Sequence, residues 1–223
     1  MQTFATPAAI TAVLDIPAGR IQIIAADRTD TTVEIRPAAP GKNRDTKAAE
    51  QVQVAYDDGV LRVTAPEATN RLLGNLGSVE VTVQLPAGSR IQAKADAAEL
   101  RGVGRLGHVD FDGGYRSVKL DETAGARLTA HDATITVGRL TGPADITTQR
   151  GDIHITEATH GTVTLTTQQG DIEIGAAPGV SATLDAGTGY GRVHNSLKNS
   201  DGSAAALAFH ATTTHGDITA RSL

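Results

Sequence analysis

The chain has 223 residues, a formal net charge of −5 and no cysteine, which excludes disulfides and thiolate metal sites and leaves no basic footprint for nucleic acid. Apolar residues make up 39% but aromatic ones only 3%, so any core is built from Val, Ile, Leu and Ala, as in a thin interior between closely spaced β layers. No run reaches the roughly 18 apolar residues of a membrane span, and Met1 to Pro7 lacks a basic then apolar leader, so the expectation is a cytoplasmic protein without membrane insertion, with the cell surface as the alternative.

From Ile10 to Pro37, Val13, Ile21, Ile23, Val33 and Ile35 alternate with polar neighbours, the period of half-buried strands. The corner Asp15-Ile16-Pro17-Ala18-Gly19 recurs as Gln84-Leu85-Pro86-Ala87-Gly88, which predicts two similar strand-turn-strand corners. Pro37 to Glu50 is polar and rich in breakers and reads as a surface loop. Nothing has a helical pattern beyond one turn within Lys47 to Gln53. Val52 to Ala65 reads as a hairpin turning at Asp57-Asp58-Gly59. Pro66 to Ser78 is a second loop, whose Leu72, Leu73 and Leu76 either fold over a sheet edge or form a candidate partner loop.

After Ser78 the pattern becomes repetitive. Apolar pairs at i and i+2 recur at Val109 and Phe111, Val118 and Leu120, Ile135 and Val137, Ile153 and Ile155, Val163 and Leu165, and Ile172 and Ile174, separated by glycine-containing corners. Thr147 to Ile155 and Thr166 to Ile174 are near copies 19 residues apart, and a third copy runs from Thr212 to Ala220. Repetition at such a period predicts a solenoid. The fold expected is all-β: a parallel β-helix-like β-solenoid over residues 78–223, with two short strands per turn of about 17–21 residues, and an N-terminal β-sheet cap over residues 1–77, together one structural unit. Lys198 to Ala206 is an insertion within the last turn.

The repeat corners Gly151, Asp152, Gly170, Asp171, Gly216 and Asp217 are expected to be structural, each Asp bonding its own corner backbone. A stacked carboxylate row holding a cation is the alternative. Aligning Gly191 with Gly170 places Glu173 between His154 and His194, an exposed ion-paired stripe whose residue types also suit a divalent metal. Asp110, Asp112, Arg116, Lys119 and Asp121 form the densest charged patch, read as a solvated face. Arg150-Gly151-Asp152 spells an integrin-recognition tripeptide, but the other repeats carry Gly-Asp in the same slot without Arg. No catalytic residue, metal ligand or cofactor site is assigned.

The corners Leu14 to Gly19 and Leu85 to Gly88, with the repeated Gly-Asp-Ile before an alternating strand, resemble the bacterial family of β-strand repeat proteins known as putative adhesins, a domain of unknown function. The resemblance covers nearly the whole chain and implies a β-helix-like fold, with no catalytic or binding residues to carry over. The function expected is a non-enzymatic interaction or scaffold module whose partner is another protein or a second copy of itself. The sequence ends on a repeat strand, so Ile218, Ala220 and Leu223 form the candidate self-association edge. A surface adhesin is the first alternative and a carbohydrate-active β-helix enzyme the second.

Overall fold

The computed structural model describes residues 1–65 and 77–223, so Leu72, Leu73 and Leu76 lie outside the described residues. The chain is all-β apart from one short helix and a single 3-10 turn among those residues. It divides into two compact units, Met1–Gly114 and Tyr115–Leu223.

The first unit contains β1 (Gln2–Ala5), β2 (Thr11–Asp15), β3 (Ala18–Ala26), β4 (Asp30–Pro37), α1 (Asn43–Gln51), β5 (Gln53–Asp57), β6 (Val60–Thr64), β7 (Val79–Pro86), β8 (Arg90–Ala95) and β9 (Ala97–Gly113). Strand β2 lies parallel between β6 and β8, and β3 lies parallel between β7 and β9. Strands β2 and β3 therefore lie inside the stack, where Ala12, Leu14, Ile21 and Ile23 have cover on both sides and are at most 1% exposed. On the outer side β4 pairs antiparallel with β7 and β5 with β6, while β1 pairs with β4. The β5–β6 hairpin turns at Asp58 and Gly59, both with positive φ, as the Asp-Gly pair predicts.

Helix α1 occupies part of the expected surface loop. Apolar periodicity could not announce it, because it is polar on all sides. It contains good helix formers, Lys47, Ala48, Ala49 and Glu50, and is tied to the sheet in part by the buried carboxylate of Asp45, which accepts the backbone N–H of Ser78 at 3.1 Å.

The second unit contains β10 (Tyr115–Leu140), β11 (Ala144–Arg150), β12 (Ile153–Ala158), β13 (Gly161–Gln169), β14 (Ile172–Ala176), β15 (Ala182–Tyr190), β16 (Val193–Ser196), β17 (Leu207–His215) and β18 (Ile218–Ser222). Consecutive strands make up coils of two, β11 followed by β12, β13 by β14, and each strand pairs in parallel with the corresponding strand of a neighbouring coil, β11 with β13 and β12 with β14. The register advances regularly at first: Ala126 lies beside Ala144, and Ala144 beside Val163. Then the order breaks. Val163 lies beside Phe209, and Phe209 beside Leu184. Likewise Ile172 pairs with Ile218, and Ile218 with Val193. The last coil of the chain, β17–β18, is thus inserted between β13–β14 and the earlier coil β15–β16.

Side-chain content accounts for this order. The inserted coil brings Leu207, Phe209 and Ile218, each at most 1% exposed, and burial of a large apolar side chain contributes about 1.5–3 kcal/mol. Beside these residues the coil left outside offers the smaller Ala182, Leu184 and Val193, and beside the buried Ala220 it offers Asn195. Down one inward column the residues read Val137, Ile155, Ile174, Ala220 and Asn195. The apolar column ends in an amide, and its coil has a strand on one side only among the described residues.

Candidate binding surface

The repeated Thr, Gly and Asp turn out to be a clamp between coils. Thr167 Oγ1 donates to Gly151 O at 3.1 Å, Thr213 Oγ1 to Gly170 O at 3.0 Å, and Thr188 Oγ1 to Gly216 O at 2.9 Å. A Cβ on Gly170 would fall 2.2 Å from Gly151 O, and one on Gly216 would fall 2.0 Å from Gly170 O, so the corners can approach this closely only without side chains. Asp152 Oδ1 accepts the backbone N–H of Asp171 at 2.8 Å, Asp171 Oδ1 that of Asp217 at 2.7 Å, and Asp217 Oδ1 that of Arg192 at 2.8 Å. The expectation that each Asp bonds its own corner is corrected. A corner Asp has the neighbouring coil's backbone N–H within reach and accepts it.

The series closes with a cation. Arg192 stands where the other corners carry Asp, and its Nη2 lies 3.0 Å from Asp217 Oδ2. The Arg192 backbone N–H, and after it the guanidinium, hold the Asp217 carboxyl below its ordinary value. Among the described residues no group of three His, Asp or Glu is placed to hold a metal ion.

The outward column through His154 reads Thr136, His154, Glu173, Thr219 and His194. His154 Nε2 does meet Glu173 Oε2 at 3.1 Å, with both side chains about half exposed, so the pair contributes little to stability. His194 is not Glu173's neighbour: Thr219 stands between them because the last coil is inserted there. Beside this pair is a shallow depression of about 110 Å³, lined among others by Thr156, Gly175 and Arg221.

The expected C-terminal edge is also corrected. Ile218 and Ala220 are fully buried, with strands on both sides, and Leu223, 45% exposed, donates its N–H to Ala176 O. The edge is formed instead by β15 and β16. There Tyr190 is 74% exposed and stacks on His215 with ring centroids 5.0 Å apart and planes 13° apart, and Val193 is 45% exposed. Two residues carried this signal in the sequence: Arg192 in the Asp slot and Asn195 in an apolar column. The remaining polar candidates are spent or divided between the units. Arg150 lies 3.3 Å from Asp132, Asp110 and Asp112 belong to the first unit, and Arg116, Lys119 and Asp121 belong to the second.

This chain belongs to the Toastrack DUF4097 family, whose model matches residues 13–221. Its fold is similar to that of a putative adhesin from Bacteroides fragilis, at 14% identity and TM-score 0.58, with 98% of this chain and 95% of that chain covered. A putative adhesin from Parabacteroides distasonis is similar at 13% identity and TM-score 0.47, over 98% of this chain and 95% of that one. A further similar structure, at 9% identity and TM-score 0.41, is a putative lipid binding protein from the same species, with 98% and 95% covered. No curated protein matches the chain.

Proposed function

We propose that this Toastrack-family chain is a non-enzymatic, adhesin-like binding module, a β-solenoid stack that serves as a rigid scaffold and binds through its outermost coil, residues 182–196. The observation that carries the reading is the asymmetry of β15 and β16. They pair with β17 and β18 on one side and leave Tyr190, Arg192 and Val193 exposed on a rigid frame. The likeness in fold to a protein named an adhesin supports it.

Self-association by continued stacking is disfavoured in this reading. A further coil would meet Arg192 where the ladder needs a carboxylate and Asn195 where the core needs an apolar side chain, devices that blunt an edge. The partner is therefore a different molecule. Cell fractionation of the native host, with protease added to intact cells, tests the adhesin part. Cleavage from outside is expected, and recovery in a soluble, protease-protected fraction overturns it in favour of a cytoplasmic scaffold.

A further inference from the structure

Tyr190 and His215 occupy the same position in neighbouring strands, so the ladder itself sets their rings face to face at close to the spacing of adjacent strands, about 4.8 Å. One face of the Tyr190 ring is covered by His215. The other points past the end of the stack, where no strand lies among the described residues, and the residue is 74% exposed. Where a next coil would place its own side chain there is room for one more flat ring.

The rim of that space is polar and close to neutral. Arg192 has a side chain 89% exposed and gives one nitrogen to Asp217, leaving other N–H donors of its five free for a ligand. Gly216 N donates to Tyr190 O, so by the alternation of a parallel ladder the N–H and C=O of Gly189 face away from β17. A π face on the outermost coil, followed two residues on by an exposed guanidinium paired to a carboxylate and preceded by an outward-facing peptide group, matches a ring with an apolar C–H face and hydroxyls around its edge. The Arg192–Asp217 pair cancels its own charge, and the chain's net charge of −5 disfavours phosphate-bearing rings.

We propose that Tyr190 is the platform of a carbohydrate site, stacking on a neutral pyranose ring whose hydroxyls bond Arg192, Asp217 and the Gly189 backbone. This deepens the binding-module reading and rests on it.

The test is a nuclear magnetic resonance titration of the full chain with methyl β-D-glucopyranoside, which presents an all-axial C–H face, against the acyclic polyol mannitol and the aromatic probe N-acetylphenylalanine amide. The glucoside is expected to shift Tyr190, Gly189 and Arg192 saturably in the millimolar range, with no saturable shift from mannitol. Tyr190→Phe should retain binding, and Tyr190→Ala should weaken it about tenfold, the loss expected of one aromatic stacking contact. Arg192→Ala should weaken the glucoside and leave the spectrum of the core unchanged. Equal shifts from mannitol, persistence of binding in Tyr190→Ala, or no saturable shift from the glucoside overturns the site. Saturable shifts at these residues from the phenylalanine amide without any from the glucoside overturn it in favour of an aromatic peptide. Because this readout needs no cell, its failure is distinguishable from failure of the surface-location test.

Discussion

Asp171 accepts the backbone N–H of Asp217 at 2.7 Å across 46 residues of sequence, whereas Asp152 reaches Asp171 across 19. The same bond thus joins coils that follow each other in the chain and coils that do not. Its strength depends on a carboxylate or amide oxygen at this position. Asp171→Ala is expected to destabilise the second unit by about 1 kcal/mol, a value for one exposed charge-assisted bond, while Asp171→Asn keeps the acceptor and most of the stability. Chemical denaturation of the three proteins measures the difference.

Glycine at the corner is required by the close approach of the neighbouring carbonyl more than by chain flexibility. Gly170→Ala places a Cβ 2.2 Å from Gly151 O in a corner with φ +150, and the backbone must move apart. A loss of about 3 kcal/mol or more is expected, in the range of severe backbone strain. Gly179→Ala is the control: its φ is +77 but nothing lies within 4 Å of a Cβ, so about 1–2 kcal/mol of left-handed strain is expected. Thermal unfolding of both variants should rank them in this order.

Ending the chain after Ala206 removes an interior coil. Loss of a terminal coil would leave its neighbours paired, but here β15 and β16 lose the strands they pair with, and Val163 and Ile172 lose Phe209 and Ile218. Hydrogen exchange is expected to show amides of residues 182–196 unprotected and those of 161–176 strongly weakened. Protection of 182–196 at full-length levels would contradict the strand order.

Acid should loosen the Arg192 corner. The Asp217 carboxyl is depressed in the folded state, chiefly by the Arg192 backbone N–H, so it binds protons less readily than in the unfolded chain. Its stabilising contribution is present above the ordinary carboxylate range, near pH 4, and is lost as pH falls through the lower folded value. Carbon-detected titration of Asp217 should show this depression in the wild type and a smaller one in Arg192→Ala.

The strands were legible because one face of each is buried: Val163 and Leu165, or Ile172 and Ile174, alternate with polar residues whatever lies beside them. The neighbours were not legible. Every coil offers the same backbone donors and acceptors, so stacking order is decided by small differences in side-chain content. Phe209 and Ile218 against Leu184 and Val193, and Ala220 against Asn195, made that decision, and a 19-residue repeat invites the assumption that sequence order is spatial order. The His154–Glu173 pair follows the regular part of the repeat and was foreseen. His194 falls beyond the insertion and was displaced by Thr219. Helix α1 escaped because its buried residue is a carboxylate, Asp45, and a polar helix has no apolar stripe to announce it.

The insertion of β17 and β18 also sets a schedule for synthesis. A ribosome makes Ala182 to Ser196 before Leu207 to Ser222, yet among the described residues the earlier segment finds its strand partners in the later one. Until β17 and β18 have been made, the outermost coil, beside an unfinished stack, has no strand partner among the described residues. Nascent chains stalled before residue 207 should therefore be the form of this protein most in need of a chaperone.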